Sequence, residues 1–525
     1  MIEVPTLNWI GKDKVVNHAN DVPFHVLKRK YSFDAQGKHE EDNGSQNKII
    51  HGDNLLVLKA LLPEYEGKVK CIYIDPPYNT GNENWIYNDN VKSPQIQKWI
   101  HQVVGKEGED LSRHDKWLCM MYPRLKILKR LLSEDGAIFI SVNFRDSYHN
   151  LRFICDEIFG INNFVGTLTW ESLTQPTNSG KAKFGLQIKT EPIICYRMNA
   201  AENIFELEQS ENKKNYPHQG KFGKCRFEII EKSDAGNFSR PTMKFKILGQ
   251  FPREGKRWQI GEETARELEK NGRLEIVDGI VKKAIYPEDE EKKINYIPFW
   301  SHLKAEDVGT AQSGKEILNS IMGEAIGFDT VKPPKLIEEL IKHLPSDSII
   351  LDSFAGSGTT AHAVLKLNAE DGGNRKFILV EMEDYAEKIT AERVRRVIQG
   401  YEKVEGTGGN FDFYEIGEPL MIDGNLNENI DTEKIRAYIW YTETNTQYQK
   451  PLDNIPAYLG EHTGTGYYFY YEKNKRTTLD FDFLSTLQTR AENYVIYADE
   501  CLVDEDTLQR YKIQFKKIPR DIREI

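Results

Sequence analysis

Cys71-Ile72-Tyr73-Ile74-Asp75-Pro76-Pro77-Tyr78-Asn79-Thr80-Gly81 decides the reading of this chain. Its first four residues form an apolar run the length of one buried strand. The run breaks at Asp75-Pro76-Pro77, where two prolines fix two φ angles and remove two N–H donors, so neither strand nor helix continues. A stiff turn at the carboxyl end of a strand is predicted, bearing a carboxylate, outward carbonyls and the Tyr78 ring. Ligand crevices of open α/β sheets lie at that end of the strands. Such a turn suits chemistry on an exocyclic amine of a flat ring: Asp75 and the Pro76 carbonyl each accept one N–H, and Tyr78 stacks on the ring. The competing reading is an ordinary Asx-Pro turn with a core tyrosine. The apolar strand before the turn and Tyr-Asn-Thr-Gly after it favour the amine site.

Upstream, Lys48–His51 reads as a strand ending in Gly52-Asp53, followed by a helix over 54–62 and the strand 69–74. Strand, helix, strand is the βαβ unit of a parallel sheet. Asp53 shares the carboxyl edge with Asp75, either as acceptor for an adenine amino group or as a helix N-cap; the two roles are compatible. The first 47 residues are mixed, with Leu7–Ile10 a short strand or anchor and 34–47 a polar loop. Residues 79–115 lack periodicity and suit a substrate-facing loop. His114 and Asp115 within it are adjacent, and spacing alone does not make them a catalytic pair. Downstream come a helix over 117–132, a turn at 133–136, a strand at 137–142, a helix over 146–159, and strands at 164–170 and 191–196. These complete a first half-sheet.

A second α/β segment begins near 296. A helix bearing Leu336, Ile337, Leu340, Ile341 and Leu344 precedes the strand Ile349–Asp352. There follow the turn Ser353-Phe354-Ala355-Gly356-Ser357-Gly358-Thr359 and another helix. Gly356 and Gly358 allow a sharp turn and close backbone approach to a ligand. The next strand, 377–380, ends in Glu381, an acidic residue at the distance expected of a ribose-hydroxyl acceptor. The turn departs from the pattern of dinucleotide binders and from the P-loop, and has no lysine to meet a triphosphate.

Between the halves, residues 213–258 hold twelve Lys/Arg against four Asp/Glu, a net of +8 in a chain whose total is −11. Interleaved aromatics include Tyr216, Phe222, Phe251 and Trp258. A basic, aromatic-studded insert is an electrostatic footprint for a polyanion; the bland alternative is a solvated surface on a small β-rich domain. At 525 residues the chain predicts three or four domains. No apolar run spans a bilayer, and the first residues lack the pattern of a signal peptide. Six scattered cysteines without a Cys-x-x-Cys pair argue against metal and disulfides, and fit a cytoplasmic location.

Asp75-Pro76-Pro77-Tyr78 resembles the signature of the amino-methyltransferases of DNA. The order of catalytic half, insert and glycine-rich half resembles their β class. Tyr78–Glu83, Trp85, Tyr87–Asp89 and Ser112–Leu125 look like the modification subunits of type III restriction–modification systems. The resemblance implies a Rossmann-like α/β methyltransferase sheet assembled from two sequence halves, with an inserted DNA-recognition domain and a C-terminal α+β domain. The boundaries expected are an N-terminal segment 1–47, a first half 48–199, a target-recognition domain 200–297, a second half 298–422 and a dimerisation or partner-docking domain 423–525, with 423–431 a linker. It implies S-adenosylmethionine, which has no phosphate to cradle, as cofactor. Asp53, Lys332, Asp352, Phe354, Ala355, Gly356, Ser357, Gly358, Thr359 and Glu381 would hold it, Lys332 at the methionine carboxylate. Asp75, Pro76, Pro77 and Tyr78 would form the catalytic turn, acting on N6 of an adenine flipped out of double-stranded DNA. No metal is implied. A homodimer and a helicase-nuclease restriction subunit are the implied partners. The chain departs from the family at Asn143, Phe144, Thr190 and Pro192, which puts the base pocket in question. The rivals are a stand-alone methyltransferase and a catalytically inactive DNA-binding specificity subunit. N4-cytosine enzymes usually carry Ser at position 75, and protein-glutamine enzymes Asn.

Overall fold

The computed structural model describes the chain except residues 1–5, 78–112, 145–146, 177–179, 207, 210–214, 236–239, 291–295, 329, 452–456, 488–489 and 520–525. Two compact units form: Met1–Glu206 with Trp300–Ile525, and Leu207–Phe299.

The larger unit is built on an eleven-stranded mixed sheet. Six neighbouring strands run parallel, in the order Leu132–Ser141, Val69–Ile74, Ile349–Asp352, Lys376–Glu381, Lys48–His51 and Asn410–Pro419. Thr190–Arg197 is antiparallel to Leu132–Ser141, and Phe164–Glu171 is antiparallel to Thr190–Arg197. Phe164–Glu171 therefore runs in the direction of the parallel set and ends on the same edge. The halves meet at the centre, where Cys71 pairs with Ile350 and Ile72 with Leu351. From that seam the chain proceeds outward both ways, so the seam is a topological switch point. Every residue of Val69–Ile74 is buried, as expected of a central parallel strand. One core takes Ile72 and Ile74 from the first half and Leu351, Ile378 and Val380 from the second; burying each such side chain is worth about 1.5–3 kcal/mol. Helix Asn54–Tyr65 packs on Arg113–Leu131, and Thr359–Asp371 packs on Pro334–Ile341 and Glu392–Gln399.

Five features differ from the sequence reading. Helix Arg113–Leu131 begins four residues before 117, within the stretch read as a loop, and residues 79–112 of that stretch lie outside the described residues. Of the two readings of Leu7–Ile10 the structure shows the anchor and not the strand, with Leu7 and Trp9 packed against the main core; short helices Lys12–Val15 and His18–Asp21 lead into His25–Asp34, which joins the main sheet beside Asn410–Pro419. The turn at 133–136 lies within a strand running Leu132–Ser141: Leu132 pairs with Val69 and Ala137 with Cys71, so four residues bulge opposite Lys70. The Lys70 ammonium fixes the bulge at 2.7 Å from both the Asp135 carbonyl and its carboxylate. Helix Tyr148–Phe159 starts two residues later than predicted. The stretch read as a linker contains the strand Asn425–Leu426, paired with Met421–Ile422, and Leu426 and Ile430 are buried against Trp440, Phe469 and Ile518. The C-terminal residues add helix Thr432–Thr444 and a four-stranded mixed sheet, Tyr458–His462, Thr465–Phe469, Asn493–Ala498 and Ile513–Lys517.

The smaller unit has a four-stranded antiparallel sheet, Leu274–Val277, Ile280–Ile285, Gly223–Ile229 and His218–Gly220, with helix Glu262–Lys270. Ile230, Ile247, Trp258, Ala265, Leu274 and Val281 form its core.

Candidate active site

Asp75 leaves the end of Val69–Ile74 at the central seam, beside the end of Ile349–Asp352. Pro76 is buried and Pro77 half-buried. The Pro77 carbonyl accepts the indole N–H of buried Trp117 at 2.7 Å, which pins the turn to helix Arg113–Leu131. Tyr78 lies outside the described residues. The Asp75 Oδ2 atom accepts from the Lys332 ammonium at 2.7 Å; Oδ1 is buried and has no hydrogen-bond partner among the described residues. A buried acceptor left unsatisfied carries a desolvation penalty of about 1–3 kcal/mol, so the turn holds an acceptor that a ligand N–H would satisfy.

Lys332 is 9% exposed and reaches Glu191 at 3.6 Å as well as Asp75. Burial alone would push its ammonium down, but Asp75 and Glu191 outweigh that and hold it above the ordinary lysine value. The resemblance assigned Lys332 to a cofactor carboxylate; the structure brings it to Asp75.

The pocket at this seam is lined by Tyr73, Asp75, Phe328, Lys332, Asp352, Phe354, Ala355, Gly356, Ser357 and Thr359, with Thr330, Val331 and Thr360. Asp352 accepts the Phe354 N–H at 3.0 Å and the Thr360 hydroxyl at 2.5 Å. Burial pushes its carboxyl up to about 7 against those two hydrogen bonds, with Asp75 adding to the rise. Gly356 (φ 52°) and Gly358 (φ 81°) adopt the left-handed region, and a Cβ on Gly358 would stand 3.0 Å from the Thr390 carbonyl oxygen. Gly358 caps helix Thr359–Asp371, and the Thr359 hydroxyl donates to the Lys332 carbonyl at 3.2 Å.

Glu381 stands behind the loop. Its carboxylate accepts the backbone N–H of Gly356 at 2.7 Å, Met382 at 2.9 Å and Glu383 at 3.0 Å. Burial nonetheless pushes it up to about 7. Asp53 lies two residues past His51, which pairs with Glu381. Its side chain caps helix Asn54–Tyr65 by accepting from Leu55 and Leu56, with Arg124 at 3.6 Å.

Three supports escaped the sequence reading. Trp117 lies in the helix read over 117–132 and in the stretch Ser112–Leu125 that carries the resemblance, with no partner assigned to it there. Asn54 donates to the Ser353 carbonyl at 3.2 Å and accepts from buried Arg124 at 2.5 Å, tying the two halves together. Arg393, fully buried behind the glycine loop, donates to the hydroxyls of Ser357 (2.8 Å) and Thr359 (2.7 Å). Its signal was a cation sharing the apolar face of Val394, Val397 and Ile398.

The large mixed sheet with its flanking helices fits an α/β methyltransferase fold. The chain belongs to the DNA methylase family, whose model matches residues 69–392. It is 32% identical over 435 residues to the Mod subunit of the type III restriction–modification enzyme EcoPI of Escherichia phage P1, covering 73% of this chain and 64% of that one. The type II methyltransferase M.KpnI of Klebsiella pneumoniae is 30% identical over 399 residues, covering 70% of this chain and 89% of the relative. The chain spans between about half and just under two thirds of the length of the type III subunits it matches. Among solved structures, the cytosine-N4-specific PvuII DNA methyltransferase aligns with 69% of this chain and 95% of its own, at 14% identity and a TM-score of 0.33.

Proposed function

We propose that this chain methylates N6 of adenine in double-stranded DNA, with S-adenosylmethionine as donor, as the modification subunit of a type III restriction–modification system. The observation that carries the reading is the buried Oδ1 of Asp75, without a partner among the described residues, beside a left-handed glycine loop at the switch point of the sheet. The loop suits a nucleoside cofactor without phosphates: Gly356 and Gly358 allow close approach, Phe354 and Thr359 line the wall, and no P-loop lysine follows. Glu381 would accept the ribose hydroxyls, and Asp53 the adenine amino group. When bound, the cofactor supplies an electrophilic methyl group on its sulfonium. Asp75 Oδ1 and the Pro76 carbonyl orient the target amine, and Tyr78 stacks on its ring. Lys332 holds the Asp75 carboxylate in place through its hydrogen bond to Oδ2, so the acceptor is already aimed when the amine arrives. The amine is out of reach inside a stacked duplex, so the base must flip.

The unit Leu207–Phe299 is the target-recognition domain in this reading. Part of its positive charge is paired internally, as in Arg226–Glu290 and Arg253–Glu231. Lys221, Lys224, Lys232, Arg240 and Lys246 are exposed and have no ion pair among the described residues; Phe222 and Phe251 are exposed beside Lys221 and Lys246. Double-stranded DNA is the partner this supports. A homodimer, a helicase-nuclease subunit and a cytoplasmic location complete the proposal. The stand-alone reading is favoured by one observation, the 89% of M.KpnI that this chain covers.

The test is incubation with labelled S-adenosylmethionine and plasmid DNA, followed by nuclease digestion and identification of the labelled nucleoside. N6-methyladenine is expected; label in N4-methylcytosine alone, or none, overturns the reading.

A further inference from the structure

The connection between strands Phe164–Glu171 and Thr190–Arg197 leaves the sheet on the edge that carries Asp75. It is clasped at its base. Glu171 pairs with Thr190, and the Leu173 N–H donates to the Lys189 carbonyl. The residue after Thr190 is Glu191, 3.6 Å from the Lys332 ammonium that holds Asp75. The connection is thus rooted at the reacting edge.

Its returning arm is exposed throughout residues 183–189, and three of those side chains are apolar. Phe184 is 84% exposed, Leu186 wholly exposed and Ile188 48% exposed. These are alternate residues of a stretch that also holds Lys181, Lys183 and Lys189. Single exposed apolar side chains are ordinary, but three at alternate positions on one short arm are an exposed patch of the kind that marks an interaction surface. The Lys183 ammonium lies 5.0 Å from the Phe184 ring centre, so cation and ring are presented together.

Resting on the proposed reaction, we infer that Phe184, Leu186 and Ile188 form a wedge that enters the DNA stack and occupies the place vacated by the target adenine. A base that leaves the duplex opens an apolar slot about one base pair thick. Proteins that unstack DNA fill such slots with Phe, Leu, Ile or Met. Lys183, presented beside the Phe184 ring, suits a neighbouring phosphate, while Lys189 pairs with Glu171 at the base of the connection. The wedge and Asp75 act on one nucleotide from the same sheet edge: the wedge lowers the cost of having the base out, and Asp75 holds its amine. The three are positioning residues, because they touch the duplex rather than the reacting atoms.

The experiment uses the full chain and two duplexes containing the site that the wild type modifies in plasmid DNA. In one the target adenine is paired with thymine; in the other it faces an abasic position and is unpaired, so that it leaves the stack at lower cost. The variants are Leu186→Ala, Phe184→Ala and Leu186→Met, none of which removes a buried side chain. Expected is a fall in kcat/KM of about 10- to 100-fold for the alanine variants on the paired duplex, recovery to within about threefold of wild type on the abasic duplex, and near-normal activity of Leu186→Met. Equal losses on both duplexes, or none on either, overturn the wedge. If the alanine variants keep full activity but lose self-association in sedimentation, the patch is a protein interface and the wedge is overturned. A wild type that modifies neither plasmid nor duplex fails the proposed function, and then 2-aminopurine at the adenine positions of plasmid-derived duplexes decides the wedge. Fluorescence enhancement with wild type but not with Leu186→Ala supports it, and equal signals overturn it.

Discussion

The two halves of the site answer their polar groups differently. In the glycine half, Glu381 takes three backbone N–H donors, Asp352 takes an N–H and a hydroxyl, and Arg393 braces Ser357 and Thr359 from behind. In the Asp-Pro-Pro half, one cation serves a carboxylate whose second oxygen has no partner among the described residues. A loop whose groups answer one another keeps its shape with or without a ligand. A turn with an unanswered buried acceptor is held ready at a cost that the right donor removes. In the proposed function the glycine half is thus preformed to hold the cofactor, and the Asp-Pro-Pro half to react.

The sharpest way to break that contrast is Asp75→Ala. Removing the acceptor should lower kcat/KM for methyl transfer by about 10³-fold, while S-adenosylmethionine binding by equilibrium dialysis stays within a few-fold of wild type. Loss of cofactor binding in step with activity would show that the halves are not separable.

A second test acts on the glycine half through pH. Burial raises the folded pKa of Glu381 from its ordinary 4.5 to about 7. The folded state therefore binds that proton more tightly than the unfolded chain does. The stability this contributes is fully present below pH 4.5 and is lost as pH rises through about 7, to the extent of about 3 kcal/mol. Asp352, also raised to about 7, adds in the same sense. Urea denaturation at pH 5 and pH 8 should show the fall, and Glu381→Gln should flatten it. An identical pH dependence in wild type and variant would place the titrating groups elsewhere.

The smallest effect is expected at Trp117→Phe, which removes the donor to the Pro77 carbonyl. About 1 kcal/mol of stability should go, seen as a shift of a few degrees or less in Tm. The transfer rate should fall several-fold with cofactor affinity unchanged, and equal falls in rate and affinity would argue against a role confined to the Asp-Pro-Pro turn.

Much of this contrast was legible in the sequence. Short apolar runs broken by Asp-Pro-Pro, Gly-Asp and Gly-x-Gly mark strand ends whatever their surroundings, so the strands meeting at the seam were placed within a residue or two. Supports that act across the fold were not. Trp117 and Arg124 sit on a helix where their neighbours are core residues, and nothing local shows that Pro77 or Asn54 is opposite. His25–Asp34 contains Lys28-Arg29-Lys30, whose charges hide a strand that is sheltered only along part of its length. The carboxylate of Asp53 allowed two readings, and the structure shows the cap. Lys332 was assigned by resemblance to a ligand; its nearness to Asp75 depends on a pairing of halves that no local pattern reports.

That pairing also bears on how the protein is made. Cys71 and Ile350 are neighbours across the central seam but 279 residues apart in sequence. At ribosomal rates of about 5–20 residues per second, the second strand emerges roughly 15–55 seconds after the first. Until then Val69–Ile74, apolar on both faces, has an open edge in a half-built sheet, the kind of edge that recruits strands from other chains. The interleaved order that brings glycine loop and Asp-Pro-Pro turn together thus gives the chain a slow, high-contact-order folding step. During it, whatever shields that one strand sets the yield of folded protein.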